Sequence, residues 1–266
     1  MKPLSVGNIV SAGLRIYRDN FKNYFKSAFL GYLWILVPVY GWAKYSAMMG
    51  MIARLAYQEV AEQPETITEA QRHIKPKMWD FLVAGIFVGL IIFVAIIPFS
   101  IIVGIVGALA GFVLDQDSAI GMIAGILLII VALLLFIFGL LWLISRLFLV
   151  ELPLAIEENI TATSTISRSW DLTKGSVGRI QLVVLIGFLI SVPILLVTNI
   201  VSFIFQMIIG AGLENAPSLA AIGGILYILL AFAGGALMIP FWQSIKAVVY
   251  YDLRIRREGM GMNLRK

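Results

Sequence analysis

Few residues in this 266-residue sequence are of the types that carry out chemistry. The only histidine, His73, stands near Lys75 and Lys77, a setting typical of a solvated surface residue rather than of a general base. The chain has no cysteine, and therefore no thiolate nucleophile, disulfide or cysteine metal site. It also lacks a nucleophilic serine elbow, a phosphate-binding glycine loop and paired histidines for zinc. We therefore expect no catalytic residue, no cofactor and no metal, and predict that the protein is not an enzyme.

A polar seam interrupts one of the apolar stretches. Asn199, Ser202 and Gln206 follow one another at spacings of three and four residues, so they share one face of a helix. Such a seam either binds a substrate on a transport path or forms hydrogen bonds to a neighbouring helix. Because no acidic or basic residue accompanies it, bonding between helices is the favoured interpretation.

Charged residues gather after a second apolar stretch. Arg146 is followed by Glu151, Glu157 and Glu158, and Arg168 by Asp171. These residues either form an ion-pair network that clamps a helix at the membrane surface or are solvated separately, and a structural clamp is favoured over catalysis. An intramembrane enzyme acting on lipid would need a polar cluster around Glu151 or Glu158, and it is the least favoured of the functional hypotheses.

The elements that carry these residues are four long apolar stretches, at 81–113, 119–147, 180–212 and 220–249. Each exceeds the roughly 20 residues that an α-helix needs to cross a hydrocarbon core. Only 13% of the residues are charged, about half of what a soluble domain carries. We predict an all-α integral membrane helical bundle.

The charges between the stretches predict an orientation. The connectors 114–118 and 211–219 contain no Lys or Arg, whereas the other flanks are basic. Because cytoplasmic loops are enriched in Lys and Arg, we place the basic flanks and both termini in the cytoplasm. A multi-pass protein of the cell membrane follows.

The stretch 25–60 is predicted to form a short hairpin. Basic residues flank it on both sides, so an even number of crossings is required. Pro38 presets one turn dihedral and Gly41 permits a positive one, which favours a turn at 37–41. The count is then six transmembrane helices, with five as the alternative.

Three polar stretches precede the hairpins, and each begins with a hydroxyl residue suited to helix capping. We predict short amphipathic helices that lie in the cytoplasmic interface, with their apolar faces in the membrane. The single membrane domain, 1–266, then comprises interfacial segments 4–24, 65–77 and 160–174, hairpins 25–60, 78–147 and 178–252, and a cytoplasmic tail 253–266.

The basic and aromatic residues of these segments are predicted to contact anionic lipid headgroups. The predicted set is Arg15, Arg18, Lys22, Arg168, Trp170, Lys174, Tyr250, Tyr251, Arg254, Arg256 and Arg257. We also expect Asp252 to pair with Arg168 or Arg15 and so to tie the helix ends together. The pair Gly85 and Gly89, four residues apart, favours close helix packing or oligomerisation.

Two passages resemble a known family. Residues 168–175 read Arg-Ser-Trp-Asp-Leu-Thr-Lys-Gly, and residues 250–259 read Tyr-Tyr-Asp-Leu-Arg-Ile-Arg-Arg-Glu-Gly. Both are similar to the glycerophosphoryl diester phosphodiesterase membrane-domain family and to related six-helix bacterial membrane proteins. The resemblance implies a bacterial plasma membrane protein. The phosphodiesterase domain for which the family is named has no counterpart in this chain, so the resemblance implies no enzymatic activity.

These observations favour a non-enzymatic scaffold or accessory protein that organises lipids or partner membrane proteins. We expect contacts with membrane lipids, a homo-oligomer or a partner membrane protein, and no nucleic acid. The alternative is a transporter or channel for a lipid or an apolar solute, which would use the seam at Asn199, Ser202 and Gln206.

Overall fold

The computed structural model describes residues 4–114, 119–213 and 217–258. These residues are almost entirely helical and contain no strand. The α-helices that they form are α1 (Val6–Asp19), α2 (Phe21–Trp34), α3 (Tyr40–Val60), α4 (Ile67–Ile74), α5 (Met78–Leu114), α6 (Ala119–Leu147), α7 (Glu151–Ile156), α8 (Ser164–Thr173), α9 (Val177–Leu213) and α10 (Pro217–Glu258).

Four of the described helices are long and apolar enough to cross a membrane, which agrees with the four predicted stretches. The helices α5 and α9 have 37 residues each and α10 has 42, or about 55 and 63 Å at 1.5 Å per residue. These lengths exceed a hydrocarbon core of about 30 Å, so each helix extends well beyond it. The acidic connectors used to predict orientation lie largely outside the described residues, at 115–118 and 214–216.

The long helices pack as two antiparallel pairs. The ring of Phe99 on α5 packs on Phe136 and Gly139 of α6, with 6.0 Å between the two phenylalanine ring centroids. Gly187 on α9 meets the ring of Trp242 on α10. Such close approaches require a residue without a side chain, so Gly139 and Gly187 let the helices of each pair come together.

The segment 4–24, which was predicted to be one interfacial helix, contains α1 and the start of α2. The orientation of α1 also differs from the predicted one. The break falls at Asn20, where φ is −110° and ψ is 15°. The apolar face of α1 packs along α10 rather than into lipid: Gly13 lies against Ile245, and the Tyr17 hydroxyl donates to the Leu237 carbonyl at 2.8 Å. The prediction of an apolar face in the membrane is therefore wrong for α1, because the chain itself covers that face.

The helices α2 and α3 form an antiparallel hairpin, with Tyr32 packed on Tyr45 at 5.3 Å between ring centroids. The turn occupies residues 35–39, and the residue with a positive φ is Val39, at 63°, not Gly41 as predicted. Gly41 lies inside α3, where a side chain would collide with the Trp34 carbonyl. The glycine is needed there for close approach and not for its φ.

The molecule has two differently built regions. The head comprises α1, α3, α4, α7 and α8 with the adjoining long-helix segments 78–92, 139–147, 177–191 and 236–258, and it contains most of the described buried residues. The four-helix end comprises segments 93–112, 120–138, 192–207 and 221–235, whose large apolar side chains are mostly exposed. The helix α2 reaches from the head along the four-helix end, where Phe25 and Phe29 face Val201 and Leu226 across a groove.

Candidate functional site

A cavity of about 500 Å³ lies inside the head, between α3, α5, α6, α9 and α10. Its walls are mainly apolar and include Met49, Val88, Leu147 and Trp242. Gly85 of α5 also lines the cavity and is exposed, so the cavity opens to the outside of the bundle. Cavities of about 300–1,000 Å³ with apolar walls and a few polar groups are typical of sites for small organic ligands.

A polar cluster stands in the wall of this cavity. The Lys246 ammonium lies 3.3 Å from Oε2 of Glu151, and the Nε2 amide of Gln243 donates to the same oxygen. Only 3% of Gln243 is exposed, and its Oε1 atom is buried without a hydrogen-bond partner. Because the carboxylate accepts but does not donate, it fixes the amide with Nε2 toward Glu151 and leaves Oε1 as the unsatisfied acceptor.

The local sequence explains how this cluster forms. The helix α6 ends at Leu147, and α7 begins at Glu151 with Pro153 in its first turn, where the missing N–H costs nothing. This bend brings Glu151 to α10. On α10, Gln243 and Lys246 are three residues apart and therefore lie on one face.

Two cations hold α7, which carries Glu151, in place. The guanidinium of Arg54 donates to the Ala155 carbonyl at 2.9 Å, and Lys77 donates to the carbonyls of Leu154 at 3.1 Å and Glu157 at 2.8 Å. Carbonyl groups at the end of a helix have no partner within it, and cationic side chains satisfy them well. Neither contact was predicted, since nothing in the sequence places residues 54 and 77 beside residue 155.

Arg54 also forms a largely buried ion pair with Glu65. Two nitrogens of the guanidinium contact the two carboxylate oxygens at 2.6 and 2.9 Å, and Gln58 donates to the same carboxylate at 3.1 Å. Burial alone would raise the pKa of Glu65, but the hydrogen bonds and the positive charge of Arg54 outweigh it and hold this pKa below the usual value. The two-pronged contact is the strong form of this ion pair.

The predicted headgroup residues divide into two groups. The exposed members are Arg15, Arg18, Lys22, Lys174, Arg256 and Arg257, although Arg256 also pairs with Asp252 and Arg257 donates to the Lys174 carbonyl. The remainder, Arg168, Trp170, Tyr250, Tyr251 and Arg254, are partly or wholly buried within the head. For this second group, the structure shows contacts inside the protein.

Tyr250 shows this difference most clearly, because it is fully buried. Its hydroxyl donates to Glu157 at 2.5 Å, and Glu157 also pairs with Arg168 at 2.9 Å. Arg168 pairs in addition with Glu258, which contacts Arg254 at 3.0 Å. Burial alone would lower the pKa of Arg168, but the bonds to both carboxylates raise it above its usual value. This network joins α8 to the end of α10.

Three predicted ion pairs differ from those observed. Asp252 pairs with Arg179 at 2.8 Å and with Arg256 at 2.9 Å, not with Arg168 or Arg15. It also accepts a hydrogen bond from the Leu4 N–H at 3.2 Å and thereby holds the start of the described chain. Because Asp252 faces α1 and α9, it lies on the opposite side of α10 from Arg168. Likewise, Arg168 pairs with Glu157 and Glu258 rather than Asp171.

Arg146 forms none of the predicted ion pairs with Glu151, Glu157 or Glu158. It donates instead to the Trp170 carbonyl at 2.9 Å and lies 4.7 Å from the centroid of the Trp170 ring. Its Nε atom is buried without a partner. Arg146 thus holds the end of α8 through a carbonyl and an aromatic face.

The helix α8 buries hydroxyl groups, which the sequence reasoning missed. Thr165 donates to the Val150 carbonyl at 2.5 Å and Ser169 to the Arg146 carbonyl at 2.8 Å. These carbonyls belong to the bend between α6 and α7, where regular helical bonding is interrupted. Because Ile166 and Trp170 on the apolar side of α8 are only partly buried, the hydroxyl side of this helix is its main buried face. The sequence signal for this buried hydroxyl face was the repeat of Thr165, Ser169 and Thr173 at four-residue spacing.

The seam of Asn199, Ser202 and Gln206 lines an open groove of about 640 Å³ between α9 and α10. The amide of Asn199 donates at 2.7 Å to the Leu195 carbonyl of its own helix. Within the described part of the chain, no hydrogen bond joins these three residues to another helix. The predicted bonding between helices is therefore not observed.

The surroundings of Gly85 and Gly89 on α5 also differ from the close helix packing that was predicted for this pair. At both Gly85 and Gly89, no atom of a neighbouring element lies within 4 Å of the place that a Cβ atom would occupy. Close packing within the chain therefore does not explain this pair. At Gly85, the empty space belongs to the cavity.

The arrangement is suited to binding. In the part of the chain that the structure describes, no group of three His, Asp or Glu residues could hold a metal. The carboxylate of Glu151 is engaged by Lys246 and Gln243. A charged pair beside an apolar cavity is suited to an amphiphile.

Comparison with known proteins yields no match: no family model fits the sequence, no curated protein is similar to it, and no solved structure resembles it. Over the residues that the structure describes, the chain is an all-helical protein with four helices long and apolar enough to span a membrane.

Proposed function

We propose that this chain is a non-enzymatic multi-pass membrane protein that holds a lipid in the cavity of its head and so organises lipids or partner membrane proteins. The observation that carries the proposal is the apolar cavity with the cluster of Glu151, Gln243 and Lys246 in its wall. The apolar walls suit an acyl chain, and the polar cluster suits a headgroup. Both parts of a lipid then find a matching surface.

The wider arrangement belongs to the same proposal. The hairpin of α2 and α3 supplies the fifth and sixth crossings, both termini are cytoplasmic, and the chain resides in a bacterial plasma membrane, as the family resemblance implies. The exposed cations Arg15 and Arg18 of α1 and Lys22 at the start of α2 contact anionic headgroups. Oligomerisation through the apolar surface of the four-helix end is compatible with this arrangement.

A transporter or channel remains the second candidate, supported by the open groove that contains Asn199 and Gln206. The groove holds no charged residue, and it lies outside the packed head. For this reason, we favour the head cavity as the lipid site.

The proposal is tested by closing the cavity. Gly85→Leu places a side chain in the open space of the cavity, whereas Gly89→Leu makes the same change one helical turn away, where no cavity lining is disturbed. Native mass spectrometry of protein purified in mild detergent measures the lipid that each variant retains. We expect wild type and Gly89→Leu to retain one tightly bound phospholipid and Gly85→Leu to lose it.

Equal retention by the two variants would refute the head cavity as the lipid site. If Asn199→Leu removed the bound lipid and Gly85→Leu did not, the groove would be the site and the transporter hypothesis would be favoured.

A further inference from the structure

We propose that two copies of this chain pair through α9, with the seam of Asn199, Ser202 and Gln206 of one copy against the same seam of the other. This inference goes beyond the proposed function, because it concerns the four-helix end and does not depend on a lipid in the head cavity. It follows from polar groups, a groove and an exposed aromatic ring that lie together along α9.

The seam has hydrogen-bonding capacity that the described part of the chain does not use. The side chains of Ser202 and Gln206 form no hydrogen bond within the described residues. Asn199 uses one of its two N–H groups for the Leu195 carbonyl. At 1.5 Å per residue, Asn199 and Gln206 lie about 21 and 10 Å from the C-terminal end of α9, which is inside a hydrocarbon core of about 30 Å when α9 crosses it. Without water, these groups need a protein partner that both donates and accepts.

A second copy supplies that partner. An amide both donates and accepts, so two identical seams bond to each other. Copies inserted in one membrane have the same orientation, and a two-fold axis along the membrane normal then makes the two α9 helices parallel. Equivalent residues meet in such a pair, as Asn residues do at the core of parallel two-stranded coiled coils. Alternating spacings of four and three residues, typical of these pairs, connect Leu195, Asn199, Ser202 and Gln206.

An exposed ring and the groove complement each other across this axis. The Thr198 side chain faces α10, 3.4 Å from the place that a Cβ atom at Gly234 would occupy. Phe203 is five residues further on, about 140° around the helix, so it lies on the side of the seam away from α10. Its side chain is 63% exposed and forms the outer edge of the groove. A two-fold axis at the seam sets each Phe203 ring against the groove of the other copy.

The groove has room for this ring. It encloses about 640 Å³, and its α10 wall includes the small residues Ala231 and Gly234. Small residues let a neighbouring helix approach closely within a membrane. The surface therefore matches itself twice, through the amides of the seam and through ring and groove. Such self-complementarity is what a two-fold symmetric interface requires, and it favours a second copy over a different membrane protein.

Cysteine crosslinking tests the geometry, because the sequence contains no cysteine. Ser202→Cys places a thiol at the centre of the seam. Ile204→Cys places one at a similar depth on the opposite face of α9, where Ile204 is 50% exposed. Membranes that contain each variant are oxidised, and gel electrophoresis with mass spectrometry identifies the products. We expect Ser202→Cys to form a disulfide-linked dimer and Ile204→Cys to stay monomeric.

A matched pair of phenylalanine substitutions tests the fit of ring and groove. Phe203→Ala removes the ring that enters the groove, whereas Phe138→Ala removes a ring of α6 with nearly the same exposure, 62%. Energy transfer between fluorescently labelled copies, measured in vesicles as the protein is diluted with lipid, gives the dimerisation constant. We expect Phe203→Ala to weaken dimerisation by about fivefold or more and Phe138→Ala to leave it unchanged.

The amides are tested in the same vesicles. The double variant Asn199→Leu and Gln206→Leu should weaken dimerisation by about tenfold, because bonds between helices are lost in both copies. Ser100→Leu removes an exposed hydroxyl of α5 and should have no effect. None of these side chains bonds to another helix of its own copy within the described residues, so the variants should fold as wild type does.

Equal crosslinking of Ser202→Cys and Ile204→Cys would overturn the seam as the interface, and unchanged dimerisation of Phe203→Ala would overturn the fit of ring and groove. A crosslink from Ser202→Cys to a different protein would overturn a second copy as the partner. If Ser202→Cys gave no dimer and reacted with a membrane-impermeant thiol reagent, the groove would be a solvated path and the transporter hypothesis would be favoured. Gly85→Leu should dimerise as wild type does, so a failure of the lipid site and a failure of the dimer are separate results.

Discussion

The head and the four-helix end are both rich in apolar residues, but these residues have different surroundings. In the head, large side chains such as Ile52, Leu149 and Ile245 are fully buried against other helices. At the four-helix end, Phe138 is 62% exposed and Ile120 is 82% exposed. Much of the apolar surface of the head is covered by protein, whereas most of that of the four-helix end needs lipid to cover it.

The distribution of ion pairs also distinguishes the head from the four-helix end. The described ion pairs lie mostly in the head, where they join helices distant in sequence, such as Arg54 with Glu65 and Arg179 with Asp252. The comparison teaches that the head is specified by particular contacts and the four-helix end by hydropathy. Substitutions in the head should therefore change stability more than similar substitutions in the four-helix end.

The largest effect is expected from Arg54→Ala. This change leaves Glu65 buried without its partner and removes the bond to the Ala155 carbonyl, so we expect a loss of about 3–5 kcal/mol in the free energy of unfolding. Arg72→Ala, which removes an exposed arginine of α4, should cost less than about 0.5 kcal/mol. Chemical unfolding in detergent measures both, and equal losses would contradict a head held by specific contacts.

A smaller effect is expected from a pair of glycine substitutions. A side chain at Gly50 would collide with the Phe81 ring, so Gly50→Ala should destabilise the head by about 1–3 kcal/mol. At Gly104 in the four-helix end, no neighbouring atom lies within 4 Å of the added carbon. Gly104→Ala should therefore be neutral or stabilising by up to about 1 kcal/mol. Thermal unfolding in the same detergent compares them, and the reverse order would show that the two regions are packed alike.

The effect of pH on the stability of the head should be smaller than the effects of these substitutions. Because the pKa of Glu65 is lowered in the folded state, its ion pair stabilises the protein fully above the ordinary value of 4.5. This stabilisation is lost as the pH falls through the lower folded-state pKa. The advantage of wild type over Glu65→Gln should therefore be constant from about pH 7 to 5 and shrink at lower pH. An advantage that grew on acidification would mean that Glu65 is not paired as the structure shows.

The smallest effect is expected at the seam. Asn199 bonds only to its own helix, and Gln206 is exposed in the groove. Asn199→Leu and Gln206→Leu should change the free energy of unfolding by less than about 0.5 kcal/mol. A loss above 1 kcal/mol for either would show that the seam holds the four-helix end together.

The long helices could be predicted from the sequence because their signal is local. An uninterrupted apolar run requires a long helix wherever it lies. The hydroxyl cap predicted at the start of the second polar stretch was equally local: Thr66 caps α4 and forms a capping box with Glu69, to which the Thr66 N–H donates at 2.7 Å. The turn of the first hairpin lies near Pro38, because proline favours turns in any surroundings.

The cavity could not be predicted in the same way. Glu151 is separated from Gln243 by 92 residues, and only the packing of α7 on α10 brings them together. The partners of Asp252 depend likewise on how α1 and α9 pack around α10. The predicted orientation of α1 was wrong. An amphipathic pattern shows that one face of a helix must be covered, but it does not show whether lipid or protein covers that face.

The central claim, a lipid in the head cavity, is tested most directly by photocrosslinking. A phospholipid with a photoreactive group in its acyl chain is reconstituted with the protein, and mass spectrometry maps the residues that it labels. The account predicts labels at Met49, Val88 and Trp242, which vanish in Gly85→Leu and persist in Gly89→Leu. Labels confined to outward-facing residues such as Phe138, and unchanged by Gly85→Leu, would contradict it.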